Sequence, residues 1–197
     1  MLELRDIAQV LSGVSVQEAG VGPAHFVRLS DLSDLKAGRR PALATGDAPA
    51  VARALALEEG DLIVGARGVS TDVCLASEAV FGAFVSLDLY LVRPDRMQVN
   101  PQYLAAFLDL PATQSLFGVG KQGSGLARLP KDALEKTRIP LPPLHTQQLI
   151  AGLALSFETE GRLLRQLSDL KSFFGREIVA RAICAADAPA NSTRIPL

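Results

Sequence analysis

A proline-rich stop followed by a very long helical pattern restricts the fold of this sequence more than any other feature. The stretch from Pro140 to Ile150 (PLPPLHTQQLI) begins extended, because a residue that precedes proline is pushed out of the helical region. After this stretch, apolar residues recur at helical spacing to about Ala186. From about Thr146, such a helix is roughly 60 Å long at 1.5 Å per residue. We predict a separate domain before this stretch and one long helix after it.

The apolar residues of this helix alternate between spacings of three and four, as the seam of a coiled coil requires. Glu160, Lys171 and Arg181 interrupt the seam. A helix of this length cannot bury its apolar stripe against one small domain, so we predict that it packs against a second helix. The predicted interface residues are Ile150, Leu153, Phe157, Leu164, Leu167, Phe174 and Ile178.

The residues before the helix predict a compact, strand-rich domain. Apolar residues make up 48% of the chain and aromatic residues only 5%, so Leu, Val, Ile and Ala must fill the core. Short apolar runs between turn residues are typical of strands, and Asn100 followed by Pro101 is typical of a helix start. The predicted strands cover about residues 25–29, 62–65, 69–76 and 80–92, the predicted helices 101–110 and 112–117, and the predicted loops 30–50 and 118–125.

The predicted fold class is therefore α+β, with a mixed strand-rich domain followed by one long C-terminal coiled-coil helix. The predicted domain occupies residues 1–143, and the predicted helix occupies residues 144–186. Residues 187–197 are predicted to form a disordered tail.

Charge and cysteine usage narrow the functional class. The formal net charge is −1, so any nucleic-acid binding must depend on basic residues that are grouped locally or on a partner subunit. Cys74 and Cys184 lack the spacing of a zinc site, and a reduced cytoplasmic location fits them. The sequence shows no export signal and no apolar run of membrane-spanning length. We predict no membrane partner, no metal and no cofactor.

Residues 60–72 form the first candidate binding segment, a turn and a strand followed by a polar turn. We predict a hairpin whose exposed tip carries Arg67, Ser70 and Thr71. An arginine can donate two hydrogen bonds to guanine, and hydroxyl groups can contact bases or phosphates. A hairpin with a purely structural role is the alternative.

Residues 118–128 form the second candidate segment. Its glycines leave backbone N–H groups open to an anion, and Lys121, Gln122, Ser124 and Arg128 add charge and hydrogen-bonding groups. The segment lacks the GxxxxGK[ST] pattern of nucleotide-hydrolysing P-loops, so the alternative is a surface loop.

A third group of basic residues, Lys36, Arg39 and Arg40, lies in the predicted loop 30–50. Phosphate contact is one interpretation of this group, and an ordinary solvated face is the other. No arrangement for catalysis is present, because His25 and His145 stand outside any metal-binding motif and no GxSxG nucleophile elbow occurs.

Several segments resemble, in order, the DNA-specificity (S) subunit of type I restriction–modification systems. The chain looks like one target recognition domain with one spacer helix, over about residues 2–183. The segments are 4–13 (LRDIAQVLSG), 60–64 (GDLIV), 101–108 (PQYLAAFL), 122–130 (QGSGLARLP) and 139–150 (IPLPPLHTQQLI), followed by the long helix.

The resemblance implies sequence-specific recognition of double-stranded DNA, with methylation and cleavage left to partner methyltransferase (M) and restriction (R) subunits. Subunits of that family contain two such halves whose helices pack antiparallel, whereas this chain contains one half. We therefore expect a homodimer through antiparallel C-terminal helices that reads a split DNA site. A protein–protein adaptor that uses the same helix without binding DNA is the alternative, and an enzyme with a buried site is a third possibility.

Overall fold

The computed structural model describes residues 1–15, 22–50, 54–68, 70–121 and 127–186 of the chain. It divides into two compact units, Met1–Leu155 and Ser156–Leu197. The predicted tail at residues 187–197 lies outside the described residues. The predicted fold class is confirmed, because a strand-rich domain precedes one long helix. That helix, α6, spans Leu144–Ala186.

The described residues of the first unit form nine short strands, five short α-helices and the start of α6. The strands are β1 (Leu2–Glu3), β2 (Ala8–Ser12), β3 (Ala24–Val27), β4 (Ala44–Gly46), β5 (Leu62–Gly65), β6 (Val73–Leu75), β7 (Phe84–Val85), β8 (Leu89–Pro94) and β9 (Arg138–Ile139). The helices are α1 (Leu4–Ile7), α2 (Leu32–Lys36), α3 (Pro101–Leu108), α4 (Pro111–Gly120) and α5 (Lys131–Glu135).

The main sheet has four strands in the order β2-β8-β5-β6, and all of its pairings are antiparallel. Both faces of its central strands are buried. In β5, Leu62 and Val64 belong to one apolar cluster, whereas Ile63 between them belongs to a second cluster on the other side. This double burial explains why β5 is a continuous apolar run, since a strand with one solvated face alternates apolar and polar residues.

Two smaller strand groups complete the domain. Strand β3 pairs antiparallel with β4 and parallel with β7, which makes a three-stranded sheet. Strand β1 pairs antiparallel with β9, so the start of the chain is joined to the residues just before the proline-rich stretch. Buried residues of α3, α4 and α5 pack into the first apolar cluster.

The predicted start of α3 is confirmed. The Asn100 side chain accepts a hydrogen bond from the backbone N–H of Tyr103 at 3.0 Å, and Pro101 occupies the first helical turn. Proline is tolerated there because the N–H it lacks has no partner within the helix. The next helix differs from the prediction at both ends, because α4 begins at Pro111 and continues to Gly120, whereas the predicted helix covers residues 112–117.

Three predicted boundaries are wrong. The predicted loop at residues 30–50 contains α2, which the fully buried Leu32 anchors, and β4, which pairs with β3. The predicted glycine loop at residues 118–125 starts too early, because α4 continues to Gly120. The predicted strand at residues 80–92 is two strands, β7 and β8, which pair with different neighbours. In each case long-range packing overrides the local signal.

Gln147, in the first turns of α6, has a structural role. Its side chain is 1% exposed, and its Oε1 accepts a hydrogen bond from the Asn100 N–H at 2.8 Å. Its Nε2 donates to the carbonyl oxygens of Pro142 at 2.8 Å and Gln98 at 3.2 Å. One amide side chain therefore satisfies three backbone groups in two segments of the first unit, where unpaired polar groups are costly.

We predict that Gln147→Ala destabilises the protein, because three backbone groups lose their partner together. One buried polar group without a partner costs about 1–3 kcal/mol, so the free energy of unfolding should fall by at least that much. Urea unfolding followed by circular dichroism measures the change. The exposed neighbour Gln148 is the matched control, and Gln148→Ala should leave the midpoint nearly unchanged. Equal midpoints for the two variants would contradict this role.

Candidate nucleic-acid interface

The two segments that the sequence marks as candidates lie next to each other in the structure. Arg67 and Arg128 face each other across an antiparallel bridge, and the N–H of Leu129 donates to the Ala66 carbonyl at 2.8 Å. The Tyr90 hydroxyl donates to the Leu129 carbonyl at 2.7 Å, so the second segment is also attached to the main sheet. Side chains separated by 61 positions in the sequence thus share one surface.

A third segment, which the sequence did not mark, completes this surface. Gly65 pairs with Leu89 in the main sheet, so the residues just after β5 lie beside the residues just before β8. The latter form a tight turn, closed by a hydrogen bond from the Leu89 N–H to the Ser86 carbonyl at 2.9 Å. We call the described residues of these three segments the loop surface: Arg67, Gly68, Ser70, Leu87, Asp88, Lys121 and Arg128.

Asp88 lies between the two arginines of the loop surface. Its Oδ1 is 2.7 Å from Nε of Arg67 and 3.9 Å from Nη1 of Arg128. Arg128 also donates to the Leu87 carbonyl at 2.9 Å, and its guanidinium carbon lies 5.3 Å from the centre of the Tyr90 ring. The side chain of Arg128 is thereby held at one edge of the sheet, with 30% of its surface exposed.

Lys121 closes the other side of the loop surface. Its ammonium group donates to the Gly68 carbonyl at 2.7 Å, which joins the end of α4 to the hairpin between β5 and β6. Gly68 has a φ of 101°, a value that favours glycine at the hairpin tip. Burial lowers the pKa of Lys121 from its ordinary value, and the negative charge of Asp72 partly opposes this effect.

The hairpin itself is confirmed, but one residue of its predicted exposed tip is buried. Thr71 is 1% exposed, and the expectation that it lies at an exposed tip is therefore wrong. The reason is Gln114 of α4, whose side chain accepts from the Thr71 N–H at 3.1 Å and donates to the Thr71 carbonyl at 2.8 Å. The same amide donates to the Leu108 carbonyl at 2.9 Å. Arg67 and Ser70 remain accessible on the hairpin.

The basic group of residues 36–40 is not part of this surface. The Lys36 ammonium lies 3.0 Å from Asp72 and 3.3 Å from Asp109, so it braces the hairpin against the junction of α3 and α4. Burial lowers the pKa of Lys36, but the hydrogen bond and charge of Asp72, together with the charge of Asp109, leave it above its ordinary value.

Arg39, which follows α2, lies 2.6 Å from Asp34 within that helix, and Arg40 is exposed. DNA contact by Arg39 and Arg40 remains a prediction. Gln122 and Ser124, the remaining candidates of the second segment, lie outside the described residues.

Three residues that line or support the loop surface are not marked by the sequence: Asp88, Gln114 and Asp72. Asp88 was hidden because residues 80–92 were predicted as one strand, whereas a turn interrupts them. Ser86 and Asp88 are residue types that occur in turns, but no Gly, Pro or Asn lies beside them. The sequence therefore gives no strong turn signal at this position. Gln114 and Asp72 act through partners 43 and 36 positions away in the chain, which no local pattern reveals.

The buried carboxylates of the described residues have structural partners. Asp61 is 2% exposed and binds Arg93 through both oxygens, at 2.8 and 2.7 Å. Asp31 accepts from the Arg28 N–H at 2.8 Å. The part of the chain that the structure describes contains no group of three or more His, Cys, Asp or Glu side chains placed to hold a metal ion. Among these residues, no helix is both long and apolar enough to cross a bilayer.

Solved structures with a similar fold come from type I restriction–modification systems. The S subunit from M. genitalium is 12% identical with a TM-score of 0.61, and it aligns with 95% of this chain and 46% of its own length. The HsdS subunit from Thermoanaerobacter tengcongensis is 18% identical with a TM-score of 0.61, over 99% of this chain and 50% of its own.

A third similar chain belongs to a structure that addresses complex assembly and conformational transition of the type I R-M system. It is 17% identical with a TM-score of 0.67, over 99% of this chain and 50% of its own. This chain therefore spans about half the length of these solved relatives, and at such low identity the similarity shows the fold alone.

A comparison with curated proteins found no match. A family model gives the stronger result, because it matches residues 23–158, which is more than half of the chain. This range includes both Arg67 and Arg128, which pair across the antiparallel bridge, and it extends into the first turns of α6. The chain belongs to the family described as the type I restriction modification DNA specificity domain.

Proposed function

We propose that this protein is the non-catalytic DNA-recognition subunit of a type I restriction–modification complex. In this role it reads one part of a split DNA site and directs methyltransferase (M) and restriction (R) subunits to it. The observation that carries the proposal is the bridge that brings Arg67 and Arg128 together within the family-matched region. Such a subunit works where the DNA of the cell is found, so the proposal includes a cytoplasmic location.

The chemistry of the loop surface supports contact with DNA. A guanidinium can donate two parallel hydrogen bonds to guanine, a serine hydroxyl can contact either base edges or phosphate, and a lysine can neutralise a phosphate. Arg67, Ser70 and Lys121 supply these groups on backbone that is attached to a buried sheet. Because the backbone is already ordered, little conformational entropy is lost on binding. The role of Thr71 in this proposal is to hold the hairpin through Gln114.

Helix α6 supports the proposed homodimer. The seven predicted seam residues are each 41% or more exposed in the single chain, although all are large and apolar. An apolar surface of this extent is typical of an interface, because water disfavours it. We propose that a second copy covers it by antiparallel packing about a two-fold axis, which gives a complex with two recognition domains and a symmetric split site.

A protein–protein adaptor without DNA binding is the second candidate. Two observations favour it: the net charge is −1, and Asp88 and Asp72 pair with the cations of the candidate surfaces. A gel-shift series over salt concentration, with methyltransferase subunit added, separates the candidates. DNA binding that weakens as salt rises supports the recognition subunit, and absence of binding at low salt supports the adaptor.

We expect Arg67→Ala to weaken DNA binding by about 5- to 150-fold, the range for loss of one well-oriented base contact. Fluorescence anisotropy with a labelled duplex at low salt measures the dissociation constant. Arg138 of β9 is exposed and outside the loop surface, so Arg138→Ala removes the same charge elsewhere. Similar losses for both variants would show a general charge effect and would contradict the assigned surface.

We expect the wild-type chain to sediment at twice its 20.9 kDa mass, and Leu167→Glu to sediment as a monomer. Burying one leucine contributes about 1.5–3 kcal/mol, and a two-fold dimer loses that contribution twice. Leu155 is 55% exposed and faces away from the predicted seam, so Leu155→Glu is the matched control. A monomeric wild type, or a dimer that only Leu155→Glu dissociates, would overturn the interface.

A further inference from the structure

One carboxylate stands among the cations of the loop surface. Asp88 is in contact with Arg67 at 2.7 Å and lies within 3.9 Å of Arg128, and 45% of its side chain is exposed. We propose that Asp88 is a specificity-determining residue that reads a G·C base pair together with Arg67. In this assignment, which rests on the proposed function, Asp88 accepts from the N4 amino group of cytosine while Arg67 donates to O6 and N7 of guanine.

The fold does not depend on the Asp88 carboxylate for its local geometry. Backbone hydrogen bonds set the position of this turn, from the Ala66 N–H to the Asp88 carbonyl at 2.8 Å and from the Leu89 N–H to the Ser86 carbonyl at 2.9 Å. Arg67 and Arg128 are placed by their own backbone bridge. Exposed ion pairs contribute little to stability, so a structural role accounts poorly for an acid at this position.

The same acid is unfavourable for a surface that binds only phosphates. A carboxylate repels the phosphate backbone, and it neutralises part of the charge that Arg67, Arg128 and Lys121 supply. A base edge in the major groove has different requirements, because it presents donors as well as acceptors. A surface that carries both an acceptor and donors side by side is therefore better suited to a base pair than to phosphates.

The atoms that form the ion pairs leave reading groups available. The ion-pair distances of Asp88 to the two arginines are measured from Oδ1, and 45% of the Asp88 side chain is exposed, so the carboxylate remains accessible to a base. Arg67 makes its contact through Nε, and the paired terminal nitrogens of a guanidinium are the donors that fit O6 and N7 of guanine. In a G·C pair, the N4 amino group of cytosine donates a hydrogen bond to O6 of guanine, so these two groups lie side by side in the major groove. Asp88 and Arg67 are also in contact with each other, so the carboxylate can accept from cytosine N4 while the guanidinium donates to guanine O6.

The chemistry favours cytosine over adenine as the base next to Asp88. Both bases present an amino donor in the major groove, but in adenine the acceptor N7 lies beside it. A carboxylate only accepts hydrogen bonds, so its second oxygen would be repelled by N7. An asparagine, by contrast, matches adenine with one donor and one acceptor. Asp88→Asn therefore tests the assignment, because it replaces one carboxylate oxygen by an amide group that donates hydrogen bonds.

The test is selection of binding sites from a random-sequence duplex library at low salt, with the full chain or its variants and methyltransferase subunit added, as in the gel-shift series. The wild type should enrich a motif with a G·C pair preferred by roughly 5- to 150-fold at one position. Asp88→Asn should lose the cytosine preference there or change it to adenine, and Arg67→Ala should lose the guanine preference at the same pair. Asp132, which is exposed and pairs with Lys136 at 2.8 Å, is the control, and Asp132→Asn should keep the motif.

Two results would overturn the assignment, and they differ in what else they remove. A wild-type motif that survives unchanged in Asp88→Asn and in Asp88→Ala refutes the role of Asp88 but leaves DNA recognition standing. No enriched motif for the wild type refutes the proposed function and the assignment with it. Thermal melting of each variant separates a reading role from a folding role, because a reading residue changes the motif while the melting temperature stays within a few degrees of wild type.

Discussion

The antiparallel pairing of β5 with β8 is the contact on which the candidate interface depends. Each strand is buried on both faces, so neither can shift in register without moving apolar side chains from one cluster to the other. The fixed register places Gly65 opposite Leu89. As a consequence, the hairpin that carries Arg67 and the turn that carries Asp88 must emerge at the same edge of the sheet. The described ends of the candidate interface are therefore attached directly to core strands.

Polar side chains attach the described loop residues to the same framework. Gln114 holds Thr71 by both of its backbone groups, Lys121 holds Gly68, and Lys36 bridges Asp72 and Asp109. These contacts give the candidate surface a defined geometry in a chain with a net charge of −1. The cations are few, and several are occupied with positioning the loops. Such a surface is suited to selecting a sequence, while bulk affinity for the duplex is left to partner subunits in the proposed complex.

Near the proline-rich stretch, one polar side chain again makes hydrogen bonds to several backbone groups. Gln147 satisfies backbone groups of Asn100, Gln98 and Pro142, and Ala151 one turn later is buried in the first cluster. From Leu149 onward, the large apolar side chains of the helix are exposed in the single chain. A helix with this pattern gains most of its stability from packing against a partner, because local propensity contributes little.

The sequence by itself determined the long helix, the start of α3 at Asn100 and the buried strand β5, because each depends on local signals of spacing, capping or composition. It also marked Arg67 and Arg128 as candidates, but as separate loops. Only the tertiary structure decided that these two residues face each other, that Asp88 stands between them, and that Thr71 is buried behind Gln114. The physical reason is that these relations arise from strand register and long-range hydrogen bonds, which join residues dozens of positions apart and leave no periodic trace in the chain.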